Sequence, residues 1–196
     1  MIPRALGFAM GVLVPAAALA HDGAHHAAPA AAPGAAKVVL RDAPLLDSSG
    51  RRVRLARDVI GERIAVVNFI YTTCTTVCPV SSATFQQLQK RLAAASGKEV
   101  VLVSVSVDPL RDTPPRLREY AGRYDAGEGW VWLTGAKPDV DSVLKGLGAY
   151  TARAEDHPAM VLIGDARAGT WTRFFGFPSV EQMLARVETL QAARKE

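Results

Sequence analysis

Residues 66–82 read VVNFIYTTCTTVCPVSS, and this stretch decides the fold. It holds both cysteines of the chain, Cys74 and Cys78, with Thr75, Thr76 and Val77 between them. Ahead of the pair, Ile64–Tyr71 is apolar and rich in β-branched and aromatic residues, which reads as a buried strand. Behind it, Pro79 suits the first turn of a helix, where its missing N–H costs nothing. Val80, Ala83, Phe85, Leu88 and Leu92 then recur at roughly the 3.6-residue helical period, so a helix is expected from Pro79 to about Ala95. The two thiols therefore fall where a central strand ends and a helix begins. The free N–H groups of a helix start favour thiolate over thiol. If the first helical turn includes both cysteines, their spacing places both sulfurs on one face. Such a pair can close a disulfide or grip a soft metal.

Working outward, Val38–Leu46 and Arg52–Leu55 flank the turn Asp47-Ser48-Ser49-Gly50 and predict an N-terminal hairpin. Glu99–Asp108 is apolar enough for a second central strand buried on both faces. Thr113 is placed to cap a helix opened by Pro114 and Pro115 and reaching about Tyr124. Trp130–Leu133 reads as a short strand in which both tryptophans are core residues, and Asp139–Tyr150 as a helix. Met160–Gly164 and Thr172–Gly176 form an expected antiparallel pair, and Ser179 caps a last helix, Val180 to about Arg194. Strands alternating with helices, then a closing hairpin and helix, predict an α/β sandwich. With a thiol pair at the end of its first central strand, the expected version is thioredoxin-like: a central mixed sheet flanked by helices, with an N-terminal β-hairpin extension.

The chain has 196 residues, 49% of them apolar, enough for one domain with a proper core. Arg4, an apolar run from Ala5 to Leu19 and the sequence Ala18-Leu19-Ala20 form the three-part pattern of a secretory signal peptide, residues 1–20. A retained membrane anchor is the competing reading, although the run is short for a span and broken by Pro15. His21 to Lys37 is Ala/Pro/Gly-rich and reads as a disordered linker, leaving 38–196 as the folded domain. Within the linker, His21, His25 and His26 are ordinary composition or a loose metal-scavenging tail. Export implies an oxidising compartment, the periplasm, where a structural disulfide is one reading of the cysteines. A bridge across three residues closes too small a loop to stabilise much, so a working redox or metal pair is preferred. The formal net charge of +4 excludes little. Arg51, Arg52, Arg54 and Arg57 form a basic cluster of the kind that protects a sheet edge, and nothing in the sequence suggests nucleic-acid binding.

Beyond the linker the chain has one histidine, His157, immediately before the strand at Met160. In a thioredoxin-like sheet the loop before that strand lies close to the thiol loop. Two thiolates and one imidazole make a soft set of three ligands that cuprous copper accepts, whereas structural zinc normally takes a fourth protein ligand. Pro158, directly after His157, is expected to carry a cis peptide bond that aims the imidazole at the sulfurs. Asp108 would orient His157 or meet a partner, and Asp112 would stabilise the turn leading into the next helix.

The chain resembles the SCO/SenC family, thioredoxin-fold copper chaperones for cytochrome c oxidase assembly. The resemblance rests on Cys74-x-x-x-Cys78-Pro79, on Val107-Asp108-Pro109-x-x-Asp112-Thr113-Pro114 and on Asp156-His157, and covers roughly residues 38 to 194. It implies that Cys74, Cys78 and His157 are copper ligands, and that the cysteines also cycle through a disulfide. It implies as client subunit II of a cytochrome c oxidase, or another exported copper protein, together with a thiol reductant protein, and a monomeric state. The chain departs from the family pattern in having Thr75-Thr76-Val77 where many members place an acidic residue, a cleavable N-terminus, and Pro158 after the histidine. The alternative function is a thiol-disulfide oxidoreductase that uses Cys74 and Cys78 without metal. His157 separates the two, because copper binding needs it and dithiol exchange does not. A peroxiredoxin-like peroxidase is disfavoured, because no proline precedes Thr72-Thr73-Cys74 at the required spacing.

Overall fold

The computed structural model describes residue 1 and residues 32–92 and 98–196; the expected signal segment, its cleavage and the linker histidines lie outside the described residues. An eight-stranded mixed sheet runs in the order β1-β8-β7-β4-β5-β6-β2-β3. Its strands are β1 (Gly34–Ala35), β2 (Pro44–Asp47), β3 (Arg52–Arg54), β4 (Ile64–Ile70), β5 (Val100–Ser106), β6 (Trp130–Thr134), β7 (Met160–Asp165) and β8 (Thr170–Phe175). Helices α1 (Val77–Leu92), α2 (Pro114–Gly122), α3 (Lys137–Leu147) and α4 (Val180–Ala193) cover it. β4 pairs in parallel with β5 and antiparallel with β7, so the central strand carries the thiol loop at its C-terminal end.

β4 and β5 are buried at every position, which explains their continuous apolar sequences. Alternate residues of β4 enter two cores. Ile64, Val66 and Ile70 pack with Phe85 and Leu88 of α1, Leu117 of α2, and Met183 and Val187 of α4. Ala65, Val67 and Phe69 pack with Val140, Val143 and Leu144 of α3 and with Leu55, Val59 and Ile60. Trp130 and Trp132 lie in the first core, as their sequence setting predicts. Ser179 caps α4 with a reciprocal pair: Gln182 N–H donates to Ser179 Oγ at 3.2 Å, and Ser179 N–H donates to Gln182 Oε1 at 2.8 Å. Thr113 occupies the cap position of α2 but its side chain makes no capping bond there.

Three expectations change at the edges. The hairpin is shorter than Val38–Leu46 and Arg52–Leu55, because the Val39 N–H donates to Gly146 O at 2.8 Å and this segment lies against α3 instead. Gly146 permits that approach, since a Cβ there would collide with the Val39 carbonyl. The hairpin is also part of the main sheet, with Leu46 paired to Thr134 and Asp47 to Leu133, and Leu55–Ile60 forms a π-helical turn after it. Gly34 and Ala35, expected within the linker, pair with Arg173 and Thr172 of β8. Finally, no peptide bond among the described residues is cis, so the His157–Pro158 bond is trans. His157 sits at φ −72° and ψ 120°, the extended conformation that a following proline favours.

Candidate metal and redox centre

The thiol loop begins where β4 releases the chain at Tyr71. The Cys74 N–H donates to Tyr71 O at 3.1 Å, closing a tight turn through Thr72 and Thr73. Helix α1 starts at Val77, so Cys78 belongs to its first turn while Cys74 lies in the loop before it. The sulfurs nonetheless converge. Cys74 Sγ accepts the Cys78 N–H at 3.3 Å, in the manner of a side chain capping a helix start. Both cysteines are buried and neither is in a disulfide.

Their environments differ. Burial alone would raise the Cys74 thiol, but hydrogen bonds from the Cys78 thiol, from the Cys78 and Thr76 backbone and from the Tyr71 hydroxyl bring it down to about 7. The Cys78 thiol is pushed up by burial and by its position beside Cys74. Burial and the neighbouring sulfurs hold Tyr71 at about 12, so it stays a donor. Cys74 is thus the sulfur poised to ionise, and Cys78 its proton-bearing partner.

His157 follows a single 3₁₀ turn, Ala154–Asp156, and its N–H donates to Ala154 O at 3.1 Å. Its ring packs on Phe69 of β4 with centroids 5.2 Å apart. Burial lowers its pKa to about 4, against opposition from the Ala149 and Pro158 backbone, so the imidazole is neutral at physiological pH. Its Nε2 is buried without a hydrogen-bond partner among the described residues. Cys78 and His157 line one narrow cleft with Phe69, Tyr71, Ser81 and Met160; its interior of about 10 Å³ has room for a single small body. The structure therefore brings the histidine to the thiol end of the sheet, as its place in the sequence predicts.

Two thiols and a neutral imidazole with a free nitrogen fit a soft monovalent metal in donor chemistry. Among the described residues, no three of His, Cys, Asp and Glu stand close enough to hold an ion together. Gathering Cys74, Cys78 and His157 on one ion thus requires a shift of the thiol loop or of the segment before β7.

Asp108 does not serve His157: its carboxylate accepts Arg111 Nη1 at 2.8 Å, and its own N–H donates to Ser106 Oγ at 3.0 Å. Asp112 does more than support the turn into α2. Its buried carboxylate accepts from the Thr72 backbone and hydroxyl and from Ser106. Sequence reasoning also passed over Tyr71, whose place as the residue released by the strand, three before Cys74, was the available signal.

Residues 34–192 match the SCO1/SenC family model. The chain belongs to the SCO1/SenC family. This family member is 37% identical over 90 residues to the SCO1 protein homolog of Bacillus subtilis, an alignment covering 45% of each chain. It is 31% identical over 137 residues to Protein SenC of Rhodobacter capsulatus, covering 66% of this chain and 60% of that one. The match thus spans about half the length of these curated relatives. Among solved structures, ScoI of Arabidopsis thaliana with copper bound superposes with a TM-score of 0.65 at 21% identity, over 80% of this SCO1/SenC chain and 99% of that one. ScoI of Bradyrhizobium japonicum with copper bound does so with a TM-score of 0.63 at 24% identity, over 77% and 98%. These likenesses establish the thioredoxin-like fold.

Proposed function

We propose that this protein is an exported copper chaperone. It takes one copper ion through Cys74, Cys78 and His157 and passes it to the copper site of a respiratory cytochrome c oxidase, with subunit II as the acceptor. The observation that carries the reading is His157 Nε2, buried and without a partner among the described residues, on a neutral imidazole that lines one cleft with Cys78. A neutral imidazole binds metal without first losing a proton, and a buried nitrogen without a partner gains what it lacks. Membership of the SCO1/SenC family and the copper held by two structural neighbours support the same reading. Periplasmic residence is inferred from the signal pattern of residues 1–20, and the working domain begins at Gly34, the first residue of the sheet, rather than at residue 38; among the described residues no helix is long and apolar enough to cross a membrane.

The test is native mass spectrometry of the reduced protein with His21, His25 and His26 replaced by Ala, titrated with cuprous ion. One copper per chain is expected, lost with Cys74→Ala or Cys78→Ala and severely weakened with His157→Ala. Undiminished stoichiometry and affinity in the His157→Ala protein would overturn the three-ligand site.

A second reading has its own observation. A Cys74 thiol brought to about 7 beside a Cys78 thiol held high is the asymmetry of a dithiol that reduces disulfides. In that reading Cys74 attacks a client disulfide, Cys78 resolves the mixed disulfide, and a thiol reductant protein restores the pair. Reductase activity that survives His157→Ala, in a protein that takes up no copper, would favour it.

A further inference from the structure

Asp112 is the residue of the Val107–Pro114 motif that the proposed chemistry leaves without a role. Only 1% of it is exposed, yet its contacts are hydroxyls and an N–H rather than a cation. Oδ1 accepts the Thr72 N–H at 3.1 Å and the Thr72 hydroxyl at 2.6 Å. Oδ2 accepts the Ser106 hydroxyl at 2.6 Å and shares the Thr72 N–H at 3.3 Å. Thr72 is the second residue of the turn that ends at Cys74, and Ser106 is the last residue of β5, paired with Ile70. The carboxylate therefore ties the thiol turn to a strand that is buried at every position and paired on both sides.

Cys78 is anchored differently. It rides on α1, where Ser81 accepts Asn68 Nδ2 at 3.1 Å; Asn68 Oδ1 in turn accepts Ser104 Oγ at 2.6 Å, and Ser104 accepts Trp130 Nε1 at 2.9 Å. Each sulfur thus has its own tether to the sheet, and the tethers share no residue. With one tether cut, the Cys78 N–H bond to Cys74 Sγ is the remaining hydrogen bond between the two cysteines.

We propose that Asp112 is a positioning residue for the thiol pair, holding Cys74 against Cys78 through its grip on Thr72. This rests on the reading that Cys74 and Cys78 are the working pair, and adds to it a residue forty positions downstream of the turn it holds. Two thiols held in contact have a high effective concentration toward each other, and a slack turn lowers it.

The experiment is metal-free first. The reduced full-length protein is equilibrated with oxidised and reduced glutathione: two thiols and one glutathione disulfide give the Cys74–Cys78 disulfide and two glutathione thiols. Asp112→Ala is expected to shift this equilibrium away from the protein disulfide by about tenfold. Asp112→Asn keeps an acceptor oxygen for Thr72 and an amide for Ser106, and should stay within about twofold of the parent. Thr72→Val combined with Asp112→Ala should lose no more than Asp112→Ala alone, because both cut one tether. The cuprous affinity of the reduced protein should fall in the same order. A folded Asp112→Ala protein with the parent equilibrium overturns the proposal, as does an Asn variant that loses as much as the Ala variant. If Asp112→Ala does not fold, Ser106→Ala removes one donor only and should shift the equilibrium in the same direction; no shift there overturns the proposal. Since glutathione exchange involves no metal, a parent protein that binds no copper strikes the copper reading alone.

Discussion

Two buried carboxylates stand at opposite ends of the sheet and are handled in opposite ways. Asp165, at the end of β7 away from the thiols, takes Arg194 Nε at 2.5 Å on one oxygen and Arg194 Nη2 at 2.7 Å on the other. That pairing, against the opposing effect of burial, holds Asp165 below the usual carboxylate range. Asp112, at the thiol end, is raised by burial, and its hydroxyl and N–H donors do not reverse the shift. Where only strength is wanted, the fold uses a two-pronged ion pair between β7 and the end of α4. Beside the sulfurs it uses neutral donors, which fix the loop without leaving a permanent positive charge to compete for thiolates with a cationic metal. The carboxylate at the thiol end is held by neutral donors alone, and the one at the far end adds an ion pair.

The sharpest way to break that division is to remove donors at each end and read both properties. Cys74→Ala or Cys78→Ala should cost cuprous affinity a factor of roughly 100 or more, since even supporting residues around metal ligands are worth 10–100-fold. Competition with a cuprous chelator measures it, and the thermal midpoint should move little.

At the far end the pattern should invert. Arg194→Ala leaves the buried Asp165 carboxylate only the Arg167 and Ala168 N–H donors and should cost about 3 kcal/mol in denaturant unfolding while leaving copper affinity unchanged. The pH dependence sharpens the contrast. Asp165 has a lowered folded pKa, so its contribution is present above the ordinary carboxylate range and lost as pH falls through the folded value. Asp112 has a raised folded pKa, so its ionisation works against folding as pH rises. Asp165→Asn should therefore flatten acid unfolding, and Asp112→Asn should steepen it.

A smaller effect concerns the sulfurs. Cys74, at about 7, should react with iodoacetamide with a midpoint near pH 7, whereas Cys78 stays protected until strongly alkaline pH. At pH 7 the Cys74 thiolate fraction should exceed that of an ordinary cysteine by about fifteenfold. Mass mapping of the alkylated residue checks both, and equal labelling of the two cysteines would remove the asymmetry on which the reductase reading depends. Smallest is Ser179→Ala, which opens the α4 capping box and should cost about 1 kcal/mol with no change in thiol or metal chemistry.

The thiol end was largely legible in the sequence, because strand, thiols and helix are contiguous and each leaves a local pattern. Ile64–Ile70 is a continuous apolar run, Pro79 falls within the first turn of α1, and Ser179 is followed by Gln182 at the capping-box distance. His157 was legible from its place before β7. What stayed hidden was every contact made across the sheet. Thr72 and Asp112 are brought together by β5 lying beside β4, and no periodicity in either segment announces it. Asp108 was expected to orient His157 or meet a partner, and its carboxylate instead accepts from Arg111. β1 has two residues in an Ala/Gly/Pro stretch and owes its extended form to β8, not to its own propensity.

That short strand also fixes where the described chain enters the sheet. Gly34 lies opposite Arg173 and Ala35 opposite Thr172, while β8 runs toward Phe175 beside Met160 at the thiol end. Followed backward from Gly34, the chain therefore leaves the sheet on the side of Cys74, Cys78 and His157. The short edge strand therefore places the start of the described sheet and the sulfur-bearing end of β4 on one side of the domain, so a change at Gly34 or Ala35 is felt at the same edge as Phe175 and Met160.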